Sequence, residues 1–389
     1  MLPPCQPRAI RTISRMQFPP TGATRHLFPN GFSAIIDEDQ SAPVVSARLW
    51  VETGSAHEGA LAGSGISHLL EHMVFKGTRS YSVSELAKAV NAAGGQWNAY
   101  TSFDQTVYQI DGPAREVSLF LKILCEMVFH PLLPESDFET ERDVIRREIE
   151  MGNDDPDSVH SKLLFSTVYQ HDTRKHPVIG HRALFDLIDH GTMVDYHRNN
   201  YLPENSFLVL SGAVDKDAIL TELAAHAEEQ PNRPFNPAHR PQEPDQVGSR
   251  LNRQEFGIPH SHVSLAWPVP ALDHADSAAL ELLAGVLGGG QSSRLHLQLH
   301  EEEELAYHIS AWSWAPTRGP GIWCVSAETD RKDRDALEAA VQRELSQAFD
   351  HLTTNDLARA KRQIFAHQFK TLTTAAGRAG DLGSNWHEA

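Results

Sequence analysis

The sequence predicts an α+β protein made of two tandem repeats of one domain, each an antiparallel-rich sheet flanked by helices. Three observations lead there. Strand-like runs alternate with helix-period segments, a proline-rich stretch divides the chain, and after it the same order of elements begins again. At 389 residues and 40% hydrophobic content, the chain can bury more than one sizeable core.

Residues 27–36 and 44–52 read as strands, since β-branched and aromatic side chains fill both and polar ones fill the turn at 37–42. A helix runs from about Gly65 and stops at Gly77. The next, 82–93, opens on a capping box formed by Ser82 and Glu85. After Gly94-Gly95, residues 96–102 and 105–111 form a hairpin across Phe103-Asp104. Helices 114–129 and 135–151 follow, separated by Pro131 and Pro134. Further helix is expected to about Tyr169 and over 193–200, then a strand at 206–214 and a helix at 216–228. Five prolines between Pro231 and Pro244 make 230–249 a linker or extended crossing.

Beyond it, residues 250–256 and 262–269 read as strands, 277–287 as a helix, Gly288-Gly289-Gly290 as a break and 293–302 as a helix. A second hairpin, 306–314 with 322–327, and helices 333–349 and 355–371 complete the repeat. Nothing after Ala375 answers to the strand at 206–214, so the natural chain is expected to continue.

The stretch Ser67 to Gly77 carries the chemistry. At 100° per residue Ile66, Leu69, Leu70 and Met73 share one stripe, and His68, Glu71 and His72 share the opposite one. Two imidazoles one turn apart can aim a nitrogen each at one ion, and the carboxylate between them can reach a water on it. His-x-x-Glu-His is the zincin motif reversed. A catalytic zinc takes three protein ligands, so another element must supply the third. In 135–151, Phe138, Ile145 and Ile149 make a buried stripe, and Glu141 and Glu148 lie along its edge.

The run from His68 to Thr78, the run Gly94-Gly95-Gln96-Trp97-Asn98-Ala99-Tyr100-Thr101-Ser102 and the run from Glu141 to Glu148 together resemble the pitrilysin/insulysin family of metallopeptidases, which includes the mitochondrial processing peptidases. The family's third zinc ligand is a glutamate 76 residues after the second histidine, the separation of Glu148 from His72. Its supporting glutamate, seven residues earlier, falls on Glu141.

The resemblance therefore implies one Zn2+ per chain on His68, His72 and Glu148, with Glu71 and Glu141 as the catalytic and supporting carboxylates. It implies a zinc endopeptidase for extended oligopeptides or unfolded segments, with Asn98, Ala99 and Tyr100 on a strand edge that pairs with substrate. The two domains would form half of a clamshell chamber. The partner is a second homologous half: a separate subunit, a homodimer mate or a C-terminal continuation.

The family commonly carries an arginine seven residues before a substrate-contacting tyrosine; here Tyr307 is kept, but His300 holds the arginine's place. An active-site half that needs its partner is thus an alternative, and a structural subunit like those of respiratory complexes is a remoter one. The domains expected are a leader at 1–24, a metal-binding peptidase domain at 25–229, the linker at 230–249 and a second domain at 250–389.

Composition excludes other classes. A net charge of −17 disfavours nucleic acid, and no apolar run approaches membrane-spanning length. Cys5, Cys125 and Cys324 form neither a disulfide scaffold nor a metal motif, which favours a reducing, cytoplasmic location. Arg8, Arg11, Arg15 and Arg25 precede the first acid, leaving organelle targeting open, but Pro3 and Pro4 spoil an amphipathic helix. The glycine triplet at 288–290 lacks the lysine of a phosphate loop.

Overall fold

Alternating bulky side chains build a first sheet of six strands, seen in a computed structural model that describes residues 22–229 and 233–387. The strands are β1 (Thr24–Leu27), β2 (Ser33–Glu38), β3 (Val44–Val51), β4 (Gln96–Thr101), β5 (Thr106–Pro113) and β6 (Ser206–Gly212). Their order is β1-β2-β6-β3-β5-β4, and only β2 and β6 pair in parallel. β6 inserts at the centre although it comes last, because every one of its residues is buried and needs cover on both faces. β4, with alternating exposure, takes the edge.

Among the described residues eight helices accompany this sheet: α1 (Ile66–Val74), α2 (Val83–Ala92), α3 (Val117–Phe129), α4 (Glu135–Asp154), α5 (Pro156–Val168), α6 (Arg182–Phe185), α7 (His190–Asn200) and α8 (Lys216–Glu228). Ala47, Leu49 and Val51 point from β3 into the core they form with Leu69, Leu70, Phe120 and Leu124. The period of two sends Trp50 of β3 and Phe207 and Val209 of β6 to the opposite face.

The second sheet is β7 (His260–Val269), β8 (His308–Trp314) and β9 (Gly321–Asp330) in the order β7-β9-β8, all antiparallel. Its helices are α9 (Ser277–Gly288), a π-helix (His296–Glu302), α10 (Arg334–Ser346), α11 (Ala348–His351), α12 (Thr354–Thr371) and α13 (Ala375–His387). β7-β9-β8 repeats β3-β5-β4: a long strand, two helices, then a hairpin whose second strand takes the middle. The internal repeat is thus visible in topology as well as in element order.

Several expectations need correction. The strand expected at 27–36 is two, β1 and β2, because Phe28 to Phe32 make a turn closed by Phe28 and Phe32 backbone bonds. The expected strand at 250–256 is irregular backbone and finds no partner strand among the described residues. The helix at 333–349 breaks at Gln347, and that at 293–302 is π-helical from His296. Of the expected leader, residues 1–21 lie outside the described residues, while Thr24 already belongs to β1.

α13, unforeseen, crosses back to cover the outer face of the first sheet. Ala379, Leu382 and Trp386 pack on Ile35, Trp50 and Phe207. Arg48 Nη2 donates to the Ala376 carbonyl at 2.8 Å, and Arg378 Nε pairs with Asp37 Oδ2 at 2.9 Å.

The proline-rich crossing is free of helix and strand over 233–249 yet tied down. Arg240 bonds Asp104 at 2.7 Å and Asp172 at 3.2 Å. The Glu243 carboxylate accepts from the backbone N–H groups of Gln170, His171 and Asp172. The two units meet nearby, where Tyr169 packs with Ile322 and Cys324 and donates to the Pro320 carbonyl at 2.8 Å.

Candidate metal centre

Gly65 precedes α1 as its N-cap; its φ of +76° favours glycine, and an added Cβ there would lie 2.2 Å from the Ile179 carbonyl oxygen. Glu58 reaches the helix start from outside and accepts from the N–H of Gly65 (3.3 Å) and of Ser67 (3.1 Å). Ile66, Leu69, Leu70 and Met73 are fully buried, which fixes the helix's rotation about its axis. His68 and His72 are thereby turned toward α4, and Glu71 toward the end of β4. On α4, Phe138, Ile145 and Ile149 are buried, leaving Glu141 and Glu148, two turns apart, toward α1.

The three predicted ligands converge. Glu148 Oε2 is 3.9 Å from His68 Nε2 and 3.8 Å from His72 Nε2. All three ligand atoms lie within 4.8 Å of one another. Tetrahedral zinc with bonds of about 2.1 Å places its ligand atoms about 3.4 Å apart, so these residues fit the ion with small side-chain adjustment. Two imidazoles and one carboxylate are also a donor set typical of catalytic zinc.

His72 donates from Nδ1 to Glu141 Oε2 at 3.3 Å, which leaves Nε2 to face Glu148. Lys76 Nζ holds the other oxygen of Glu141 at 2.5 Å. The His68 ring packs on His72 at 4.7 Å, and burial, followed by the His72 charge, pushes its pKa down to about 4. It is therefore neutral at pH 7, the form that ligates a metal.

Glu71 stands on the same side as the histidines. Burial raises its pKa, against the opposing bond from Thr101 Oγ1 at 2.6 Å. Thr101 ends β4, so the edge strand that carries Asn98, Ala99 and Tyr100 runs up to the carboxylate. Among the described residues β4 pairs only with β5. Tyr100 is partly exposed and packs edge-on to Trp50.

Tyr307 is not brought to this group by any contact. Its hydroxyl donates to Asp330 at 3.1 Å within the second unit, and its ring packs on His260. Reading the sequence missed Glu58, Thr101 and Lys76. Lys76 alone had a signal, lying one helical turn after His72; the other two act from elements whose approach is tertiary.

A family profile described as Insulinase (Peptidase family M16) matches residues 34–182, and one described as Peptidase M16 inactive domain matches residues 188–364. The chain belongs to peptidase family M16. The first match contains His68, Glu71, His72, Glu141 and Glu148; the second contains His300 and Tyr307.

This M16 chain is 25% identical to the uncharacterised zinc protease YmxG of Bacillus subtilis, over 93% of the chain and 87% of that protein. It is 29% identical to an uncharacterised zinc protease of Mycobacterium tuberculosis over 73% of the chain, spanning 65% of that relative, just under two thirds. A solved protease from Helicobacter pylori superimposes with a TM-score of 0.89 at 24% identity, covering 95% of this chain and 90% of that one. A peptidase M16 inactive domain from Pseudomonas fluorescens gives 0.85 at 20% identity, covering 93% and 87%. These structural likenesses carry the M16 fold. Among the described residues no helix is long and apolar enough to cross a membrane.

Proposed function

We propose that this M16 protein is a zinc-dependent endopeptidase for peptide segments that can be drawn out into a strand. The observation that carries the reading is the convergence of His68, His72 and Glu148 within 4.8 Å, with Glu71 held beside them. His68, His72 and Glu148 would hold the ion, which supplies a Lewis acid for the scissile carbonyl and a hydrolytic water of lowered pKa.

Glu71 takes the proton from the attacking water and returns it to the leaving amine, and its raised pKa suits a group that must do both. Thr101 fixes the carboxylate's orientation. Glu141 acts as a positioning residue: it aligns His72 and is itself held by Lys76. An extended substrate adds as a strand beside Asn98, Ala99 and Tyr100, which brings its backbone past Glu71. Folded regions that cannot extend would resist cleavage. Tyr307, confined to contacts of its own sheet, would reach substrate from a second half of the chamber. A second half is also the place from which a cation could replace the function absent at His300.

The test is digestion of a peptide library by the purified chain, untreated, chelated and resupplied with zinc. Cleavage that is lost with chelation and restored by zinc is expected. Zinc bound at this site without cleavage by the isolated chain would favour the active-site-half reading. A site that keeps its zinc in both His68→Ala and Glu148→Gln would overturn the ligand assignment.

A further inference from the structure

We propose a second metal site, for a borderline divalent transition ion such as Zn2+, formed by His296, His300 and Glu301 on the π-helix of the second unit. Three potential ligand atoms lie within 4.8 Å of one another there. Glu301 Oε1 is 3.4 Å from His296 Nε2 and 3.6 Å from His300 Nε2. These separations are shorter than the corresponding ones in the first unit, 3.8 and 3.9 Å. They approach the roughly 3.4 Å expected between ligand atoms on a tetrahedral zinc.

The backbone explains why these three meet. On a regular α-helix residue i+4 falls about 40° from i and shares its face, whereas i+5 falls about 140° away. A π-helix bonds i to i+5, as the Glu303 N–H does to the Gln298 carbonyl at 2.9 Å, and so brings Glu301 under His296 beside His300. π-turns are uncommon and often mark functional sites.

The state of His300 is a separate observation. Its Nδ1 is 2.7 Å from the Ala306 carbonyl oxygen, which can only accept. Nδ1 therefore carries the hydrogen, and in the neutral ring the lone pair sits on Nε2, the atom facing Glu301. A histidine oriented through its other nitrogen by a carbonyl is the usual arrangement around a ligated metal.

The surroundings favour a cation. Glu302, Glu303 and Glu304 continue the acidic run, and Arg343 is occupied by Glu303. Arg294, on the preceding turn, is held by Glu344 at 2.7 Å and does not neutralise the cluster. The competing explanation is a plain ion pair in which a protonated imidazole meets Glu301 and no metal binds.

Zinc stoichiometry of the whole chain separates the two. After gel filtration in zinc-buffered solution the wild type should hold about two equivalents, and a His68→Ala/His72→Ala chain about one. Adding His300→Ala should remove that remaining equivalent. Glu301→Gln, which disturbs no backbone bond, should weaken it by at least about tenfold. Cobalt substitution in the double variant should give the absorption of a nitrogen- and oxygen-ligated ion. A folded double variant that retains no zinc overturns the proposal, as does retention of zinc unchanged in both His300→Ala and Glu301→Gln. Either failure leaves the first site intact, because that site is read by the equivalent lost with His68 and His72.

Discussion

Glu71 is subject to two opposed influences, burial that favours its neutral form and a short bond from Thr101 that favours its charge. Burial is the larger, and a carboxyl so balanced can accept a proton and give it back. Glu71→Gln keeps the shape and loses the exchangeable proton. Since Glu71 is not a ligand in the proposed site, the variant should retain its zinc while peptide hydrolysis falls by about 10²–10⁴-fold. Metal analysis beside a kcat measurement checks this; near-normal turnover would assign the proton to another group.

At the scale of elements, α1 is positioned by two devices, its buried stripe and the carboxylate of Glu58 at its N-terminus. Burial lifts Glu58 from an ordinary 4.5 to about 7 despite the N–H groups it accepts from. Between those values the folded chain holds a proton that the unfolded chain has released. The stability contributed is therefore fully present below the unfolded value and is lost as pH rises through about 7. Glu58→Gln cannot titrate, so the wild type should lose melting temperature relative to this variant as pH rises from about 5 to about 8. Equal slopes for the two proteins would remove Glu58 as their source.

At the scale of the whole molecule, the units are joined around a buried cation. Arg174, with no exposed side-chain surface, bonds both Asp172 oxygens at 2.9 and 2.8 Å and the Arg318 carbonyl at 3.0 Å. It also lies over the rings of Tyr169 and of Trp314 from β8. Arg174→Ala leaves Asp172 buried with Arg240 as its remaining cation and should cost about 3–5 kcal/mol. Arg174→Lys restores the charge but not the planar fork and should recover only part. Urea unfolding measures both; an alanine variant within about 1 kcal/mol of wild type would show that the junction rests on apolar packing instead.

Much of this was legible in the chain. Local periodicity yields α1, α4 and their buried stripes, since a helix's faces are set by spacing alone, and the same spacing places His68, Glu71 and His72 together. Element order reveals the repeat because each domain's topology follows its own sequence. The irregular backbone at 250–259, the π-turn at His296 and the return of α13 were not legible. A strand needs a partner's hydrogen bonds, a π-turn differs from an α-turn by one backbone register, and an amphipathic helix does not say which sheet it will cover. Glu58 and Thr101 were hidden for the same reason: a polar side chain becomes part of a site only when long-range packing brings its acceptor or donor within reach of the atoms it serves.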